Sequence, residues 1–390
     1  MPRRCIIDAM MFKRPRKVTV VGSGTMGHAI AQVAAMSGYQ VDMTDTKAEY
    51  IQKGMDNIGK SLTRFAEKGS ISEADAKAAM TRVRGTTDIG DALHGSDIMI
   101  EAVFETIEAK REVYEKASLA ADKYTIFATN TSTLPIGEVA ALTNRPEMVI
   151  GLHFFNPVQI MKLVEVIPGR QTHDGLAGYA MDFARTLSKE PILCEKDVPG
   201  FIVNRMFIPM VHEAMWSLDR TSASMESVDS ALKFRLGFPM GAFALADYTG
   251  IDIVHHATES MASRDAASVN PHSIIKKLFD EHTLGIKTGS GFYNYANGMQ
   301  PYIAQELADR FDPIEVLAPP LNSAAWLISN KVSDRQEIEK ALLLGMGVKK
   351  PLFESARDVG IDDILEKLNS LRENNPVFYR ADPLIESLRT

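Results

Sequence analysis

The sequence predicts an α/β domain followed by an all-helical domain and a degenerate second copy of that helical domain. Three observations predict it. Residues Lys17 to Asp45 read as strand, glycine turn, helix, strand and terminal acid. Strand patterns recur as far as Glu195 and stop before Pro199 and Gly200, beyond which apolar residues recur at helical spacing. A single shift of 110 residues then lays the C-terminal tail on the first helical region without a gap. The expected divisions are a flexible lead over 1–16, an α/β domain over 17–198 and a helical domain over 199–300. A linker over 301–320 and the degenerate copy over 321–390 follow.

Lys17 to Val21, "KVTVV", has the continuous apolar character of a buried parallel strand. "GSGTMG" follows, with Gly22, Gly24 and Gly27 enclosing Thr25 and Met26, and then a helix ends at Gly38. "YQVDMTD" is the second strand, with Asp45 at its end. Gly22 permits the tight turn, Gly24 lets backbone approach a pyrophosphate, and Gly27 lets helix and strand pack closely. The helix N-terminus then faces the phosphates. Asp45 accepts from ribose hydroxyls and repels a 2'-phosphate, which selects NAD over NADP. The expected domain is Rossmann-like.

A long polar-faced helix covers Ala48 to Lys68, and a second begins near Ser72, with Glu73 and Asp75 in its first turn. Sheet resumes at "DIMIEAV", with Glu105 and Lys110 just beyond it. "TIFATNTSTLP" ends another strand, with Asn130, Ser132 and Thr133 at its tip, where open α/β sheets hold their ligands. "MVIGLHFFNP" is expected to close the sheet.

Gly151 to Ile167, "GLHFFNPVQIMKLVEVI", is the stretch the chain is organised around. Two extended runs flank a turn at Asn156 and Pro157, one presenting His153 and the other Glu165. If the runs fold back on each other, the carboxylate orients the imidazole and stabilises its charge, which makes a general acid/base. A carboxylate inside "KLVEVI" needs such a partner, because an unpaired buried charge is costly.

Composition narrows the function. The 390 residues exceed one compact core, and 45% hydrophobic with 24% charged residues is ordinary for a globular protein. A net charge of −7 argues against a general nucleic-acid binder, and no apolar run reaches membrane-span length. The only cysteines, Cys5 and Cys194, exclude a disulfide scaffold and a cysteine-based zinc site, and fit a reducing, cytoplasmic compartment. The basic lead lacks the apolar core of a signal peptide, and Met10 and Met11 are alternative starts. No metal is expected. His255 and His256 are adjacent and so face different ways, and His28 reads as a helix-surface residue.

Beyond the boundary, helices are expected over Ile202 to Leu218, Met225 to Arg235, and Asp247 to Ser263, with "GIKTGSGFYNY" as a chain-reversal loop. The 110-residue shift sets Trp216 on Trp326, Gly237 on Gly347, Gly250 on Gly360 and Asp252 on Asp362. It also sets Asn204 on Ile314, so the second copy is expected to be structural.

"VVGSGTMG", "ATNTSTLP", "GLHFFNPVQIMKLVEVI", "PGFIVNRMF" and "GIKTGSGFYNY" together resemble the 3-hydroxyacyl-CoA dehydrogenase family, from Val20 to Tyr295. The tail is similar to the degenerate helical domain of bifunctional dehydrogenase/enoyl-CoA hydratase relatives, without a hydratase domain. The resemblance implies NAD-dependent oxidation of (S)-3-hydroxyacyl-CoA, such as 3-hydroxybutyryl-CoA, to 3-oxoacyl-CoA, and the reverse. It implies His153 as catalytic base and Glu165 as its carboxylate. By the same resemblance Ser132 contacts the substrate oxygen and Asn204 helps place the reacting group. Glu105, Lys110, Asn130 and Asn156 are implied around the nicotinamide, and Ser61 and Lys68 along the CoA portion. The alternatives are a β-hydroxyacid dehydrogenase using a helical-domain lysine, and a nucleotide-binding structural or regulatory protein without turnover. The implied partners are an acyl-CoA substrate and, functionally, an enoyl-CoA hydratase. The tail is expected to act as an intrachain partner, giving a monomer, with a homodimer as alternative.

Overall fold

A computed structural model describes residues 12–298 and 300–389. Cys5, Met10, Met11 and most of the expected lead lie outside the described residues. The chain divides into two compact units, one ending at Asp197 and one beginning at Val198.

The first unit is built on one eight-stranded sheet. Its strands are β1 (Lys17–Val21), β2 (Gln40–Thr44), β3 (Val83–Thr86), β4 (Ile98–Glu101), β5 (Ile126–Thr129), β6 (Val149–Phe154), β7 (Leu163–Pro168) and β8 (Glu190–Leu193). The spatial order is β3-β2-β1-β4-β5-β6-β7-β8. β1 to β6 are parallel, β7 turns back antiparallel to β6, and β8 runs parallel to β7. The order reverses between β1 and β4, which places the ligand crevice at the carboxyl ends of those two strands. The central strands are buried on both faces, which is why they read as continuous Val/Ile/Met runs. Helices α1 (Thr25–Met36), α2 (Ala48–Glu67), α3 (Glu73–Thr81), α4 (Ile89–Leu93), α5 (Ile107–Ala120), α6 (Ile136–Ala140) and α7 (Leu176–Thr186) complete the unit.

Two expectations are corrected. The sheet does not close at "MVIGLHFFNP", because β7 and β8 extend it. Sheet does not pause between β2 and β4, because "VRGT" adds β3 at the edge. Only Val83 of that strand is buried, so it lacks the apolar pattern of its neighbours. Its Arg84 instead pairs with Asp42 at 2.7 Å and Asp91 at 2.8 Å.

The second unit is helical. It runs α8 (Val203–Arg220), α9 (Met225–Arg235), α10 (Ala242–Thr249), α11 (Ile251–Arg264) and α12 (Ser273–Asp280), then α13 (Ile314–Ser329), α14 (Arg335–Ala341), α15 (Leu352–Val359), α16 (Ile361–Leu371) and α17 (Pro383–Ser387). The 110-residue register carries α9 to the start of α14, α10 onto α15 residue for residue, and the starts of α11 and α12 onto those of α16 and α17. Gly250 and Gly360, at φ +108° and +110°, make the same break between helices in both copies. That break corrects the single helix expected over Asp247 to Ser263.

Side-chain bonds repeat as well. His272 N donates to His212 Nδ1 at 2.9 Å, and 110 residues on, Asp382 N donates to Asn322 Oδ1 at 2.7 Å. Asp229 accepts from Phe243 N and Ala244 N, while its counterpart Glu339 accepts from Leu352 N and Phe353 N. The linker expectation is corrected: α13 begins at Ile314, inside the span assigned to the linker, and holds Pro319 and Pro320 in its interior. Pro319 matches Pro209, which sits inside α8 in the same way. The copy therefore starts at the equivalent of α8, and α13 packs directly on α8.

Candidate active site

The glycine turn after β1 is dictated by space. Gly22 has φ +100°, and a Cβ there would stand 2.5 Å from Ala102 O. A Cβ on Gly27 would stand 1.8 Å from Gly22 O. The turn is thereby pressed between β4 and the first turn of α1. No side chain caps α1, and nothing lies within 4 Å of a Cβ built on Gly24. Uncapped N–H groups beside an open glycine are what a pyrophosphate requires, so NAD fits this crevice. Thr25 is exposed and Met26 half-buried in the first turn of α1. Asp45 stands at the end of β2 beside the turn. Its Oδ2 accepts from Ser23 N at 2.7 Å and Ser23 Oγ at 2.8 Å, and its Oδ1 from Thr46 N at 2.7 Å.

His153 and Glu165 are direct partners across β6 and β7. The connection through Asn156 and Pro157 brings β7 back antiparallel to β6, and opposed side chains on antiparallel strands lie within reach of each other. His153 Nδ1 is 2.6 Å from Glu165 Oε2, with Glu165 fully buried and His153 6% exposed. An ionised carboxylate only accepts, so Nδ1 carries the proton in this pair and the tautomer is set. The Phe155 ring stands 4.5 Å from the imidazole, centroid to centroid.

The tip of β5 is wired to this strand. Asn130 Oδ1 accepts from Phe154 N at 2.9 Å, next to His153. Ser132 and its neighbours gather around Glu105: Oε1 accepts from Thr131 Oγ1 and Ser132 N, both at 2.6 Å, and from Thr133 N at 3.2 Å. Beneath them Lys110 Nζ meets Glu101 at 2.8 Å and Glu105 at 3.1 Å. Burial pushes the Glu105 carboxyl up, but Lys110 and the loop donors outweigh it and hold it below the ordinary glutamate value. Burial pulls Lys110 down, and its two carboxylates more than compensate, so it stays charged.

Of the residues expected around the nicotinamide, Lys110 is 1% exposed and engaged with these carboxylates beneath the strand tip. Asn156 is exposed in the β6–β7 turn. Ser61 is half-buried in α2, and Lys68, the residue that caps its C-terminus, is exposed. Asn204 is half-buried in the first turn of α8, in the second unit. His28 Nδ1 lies 2.6 Å from Gly24 O.

Sequence reasoning missed Glu101, which accepts from Val103 N at 2.9 Å and Thr129 Oγ1 at 2.7 Å besides its bonds to Lys110. The signal was present: a carboxylate inside "DIMIEAV" needs a partner for the same reason as Glu165 in "KLVEVI". Lys189 was also missed. It is 7% exposed and donates to the carbonyls of Val158 and, at 2.8 Å, Met161, tying the turn after His153 to the start of β8.

A dinucleotide crevice and, three strands along the same sheet, a buried histidine–carboxylate pair define a class: nicotinamide-dependent dehydrogenases that pass a proton through histidine. Comparison with known proteins narrows it, and the chain belongs to the 3-hydroxyacyl-CoA dehydrogenase family. The family's NAD binding domain matches residues 17–198 and its C-terminal domain residues 200–295. The mitochondrial hydroxyacyl-coenzyme A dehydrogenase of Homo sapiens is 38% identical over 287 residues, 72% of this chain and 91% of the relative. The crystal structure of 3-hydroxybutyryl-CoA dehydrogenase from Escherichia coli K12 superposes with a TM-score of 0.85 at 26% identity, covering 96% of this chain and 98% of that one. The (S)-3-hydroxybutyryl-CoA dehydrogenase of Ralstonia eutropha gives 0.69 at 37% identity, over 72% of this chain and 99% of that one. The chain is an NAD-dependent enzyme that oxidises 3-hydroxyacyl-CoA substrates and runs the reverse reduction. Among the described residues, no helix is long and apolar enough to cross a membrane.

Proposed function

We propose that the chain interconverts (S)-3-hydroxybutyryl-CoA and acetoacetyl-CoA, with His153 as general acid/base. The observation that carries this reading is the buried 2.6 Å contact between His153 and Glu165. NAD+, when bound, supplies the hydride acceptor. With Nδ1 committed to Glu165, Nε2 takes the proton from the substrate's 3-hydroxyl. Glu165 offsets the positive charge that the imidazole then acquires. Ser132 and Asn204 steady the oxygen as it becomes a carbonyl. In the reverse direction protonated His153 returns its proton to that oxygen. Gly22, Gly24, Thr25, Met26 and Gly27 cradle the pyrophosphate, Asn130 and Asn156 border the nicotinamide, and Ser61 and Lys68 receive the CoA. Glu105 and Lys110 act on the cofactor end by fixing the Thr131–Thr133 backbone.

The same reading extends to assembly and setting. The second helical copy takes the place of a partner subunit, so the chain is a monomer. It works in the cytoplasm alongside an enoyl-CoA hydratase activity that shares its substrate.

Acetoacetyl-CoA reduction, followed with NADH and with NADPH, tests the reading. We expect NADH to be strongly preferred. Asp45→Ala should narrow the ratio of kcat/KM for the two cofactors by roughly 10-fold or more, because a charge-assisted acceptor is lost and repulsion of the 2'-phosphate is relieved. No turnover with either cofactor would overturn the activity, and an unchanged ratio would remove Asp45 from the discrimination.

A further inference from the structure

Adjacent residues on a helix point about 100° apart, so His255 and His256 were not expected to share a ligand. The structure brings them together. His255 stacks on the Phe279 ring of α12 at 4.2 Å, His256 meets the same ring edge-on at 5.2 Å, and the two imidazoles lie 5.4 Å apart. Glu259, one turn on, places its Oε2 3.5 Å from His255 Nε2. One ligand atom from each of the three lies within 4.8 Å of the others.

We propose that His255, His256 and Glu259 form a binding site for a borderline divalent transition metal, with Zn(II) the natural occupant. Two imidazole nitrogens and a carboxylate oxygen suit zinc and its neighbours and disfavour Mg(II) or Ca(II), which take oxygen ligands. A tetrahedral zinc at about 2.0–2.2 Å from each ligand holds those atoms ~3.3 Å apart. Side-chain rotation of the two exposed residues, His256 and Glu259, closes the remaining gap. The fourth position stays with water.

The helical repeat supplies an internal control. The 110-residue register sets Leu365 on His255, Glu366 on His256, Asn369 on Glu259 and Arg389 on Phe279. The second copy builds the same helix, α16, without the ligands or the ring. The three ligands are therefore not what this bundle needs in order to fold. A simple ion pair accounts for His255 and Glu259 but gives no role to His256, which meets Phe279 edge-on.

The test is calorimetric titration of the untagged, chelator-stripped full chain with zinc chloride, with Co(II) absorption as a check on coordination. Wild type should take up one equivalent in the micromolar range and gain thermal stability. His256→Ala and Glu259→Gln change exposed side chains, so both should fold, and each should weaken that equivalent roughly 10-fold or more. His255→Leu, which copies the second repeat, should abolish it. Absence of saturable binding would overturn the site, as would an equivalent that His256→Ala and Glu259→Gln leave unchanged.

Discussion

A charged atom in an apolar strand is the most informative feature of this sequence at the scale of single residues. Glu165 and Glu101 sit inside continuous apolar runs, and each is fully buried. Each has its cation or hydrogen-bond donors in place, His153 for one and Lys110 with Thr129 for the other. The rule that led to Glu165 applies equally to Glu101, nine residues ahead of its lysine. Lys189 obeys a different balance. It is held by carbonyls rather than by a carboxylate, and burial lowers its pKa to about 8 from 10.5. Between those values the unfolded chain binds a proton that the folded chain does not, so stability rises with pH through the window. Below about pH 8 both states are protonated and the cost of burial is constant. Tyr179, Tyr293, Tyr295 and Tyr379, raised chiefly by burial, act in the opposite sense only above their ordinary value of 10. Urea unfolding at about pH 7.5 and about pH 9.5 should differ by about 1–2 kcal/mol in favour of the higher pH. Lys189→Met should remove that difference. A difference that survives the substitution would assign the titration to another group.

At the scale of elements, legibility in the sequence followed burial. β1, β2, β4, β5, β6 and β7 are buried along nearly their whole length and carry apolar residues on most positions, so their pattern announced them, and the glycine turn announced the helix between the first two. β3 is an edge strand with two exposed residues, and its hydrogen bonds to β2 leave no periodic trace. Gly250 lies within an otherwise helical pattern, and only its positive φ shows that it ends one helix and begins the next. Pro319 and Pro320 read as a stiff linker, yet both are buried within α13. The matching Pro209 in α8 was the available signal, and it lay one repeat away. The loop "GIKTGSGFYNY" was legible as a reversal but not by its anchor. Asp247, from α10, accepts from Phe292 N and Tyr293 N at 2.9 Å and from Tyr295 Oη at 3.0 Å, and so fastens the loop to the bundle. Of the site, the residue types and the His153–Glu165 pairing were readable, because a carboxylate inside an apolar strand needs a partner and the neighbouring run offers the imidazole. The buried support of Glu101 and Lys110 was not, since it depends on Lys110 of α5 reaching back to Glu101 at the end of β4.

At the scale of the molecule, the tail packs on the first helical copy within the second unit. α13 covers α8, and polar bonds cross between the copies. Arg220 reaches Glu315 at 3.1 Å, Tyr379 Oη donates to Glu213 at 2.7 Å, and the Arg205 guanidinium stacks over Trp326 at 3.7 Å. A chain shortened to end at Gln300 would expose the face of α8 that α13 covers, and exposed apolar faces find partners. Light scattering should give the full chain a mass near 43.0 kDa. The shortened chain should dimerise or aggregate. A full-length dimer would contradict the role of the tail as a partner surrogate.

The most direct test of the enzyme is turnover by His153→Ala. The variant should bind NADH as the wild type does, because the crevice at β1 and β4 is untouched. Its kcat for acetoacetyl-CoA should fall by about 10²- to 10⁴-fold, the range for loss of a general acid/base. Wild-type kcat in that variant would show that the proton does not pass through His153, and would return the reading to a lysine of the helical domain.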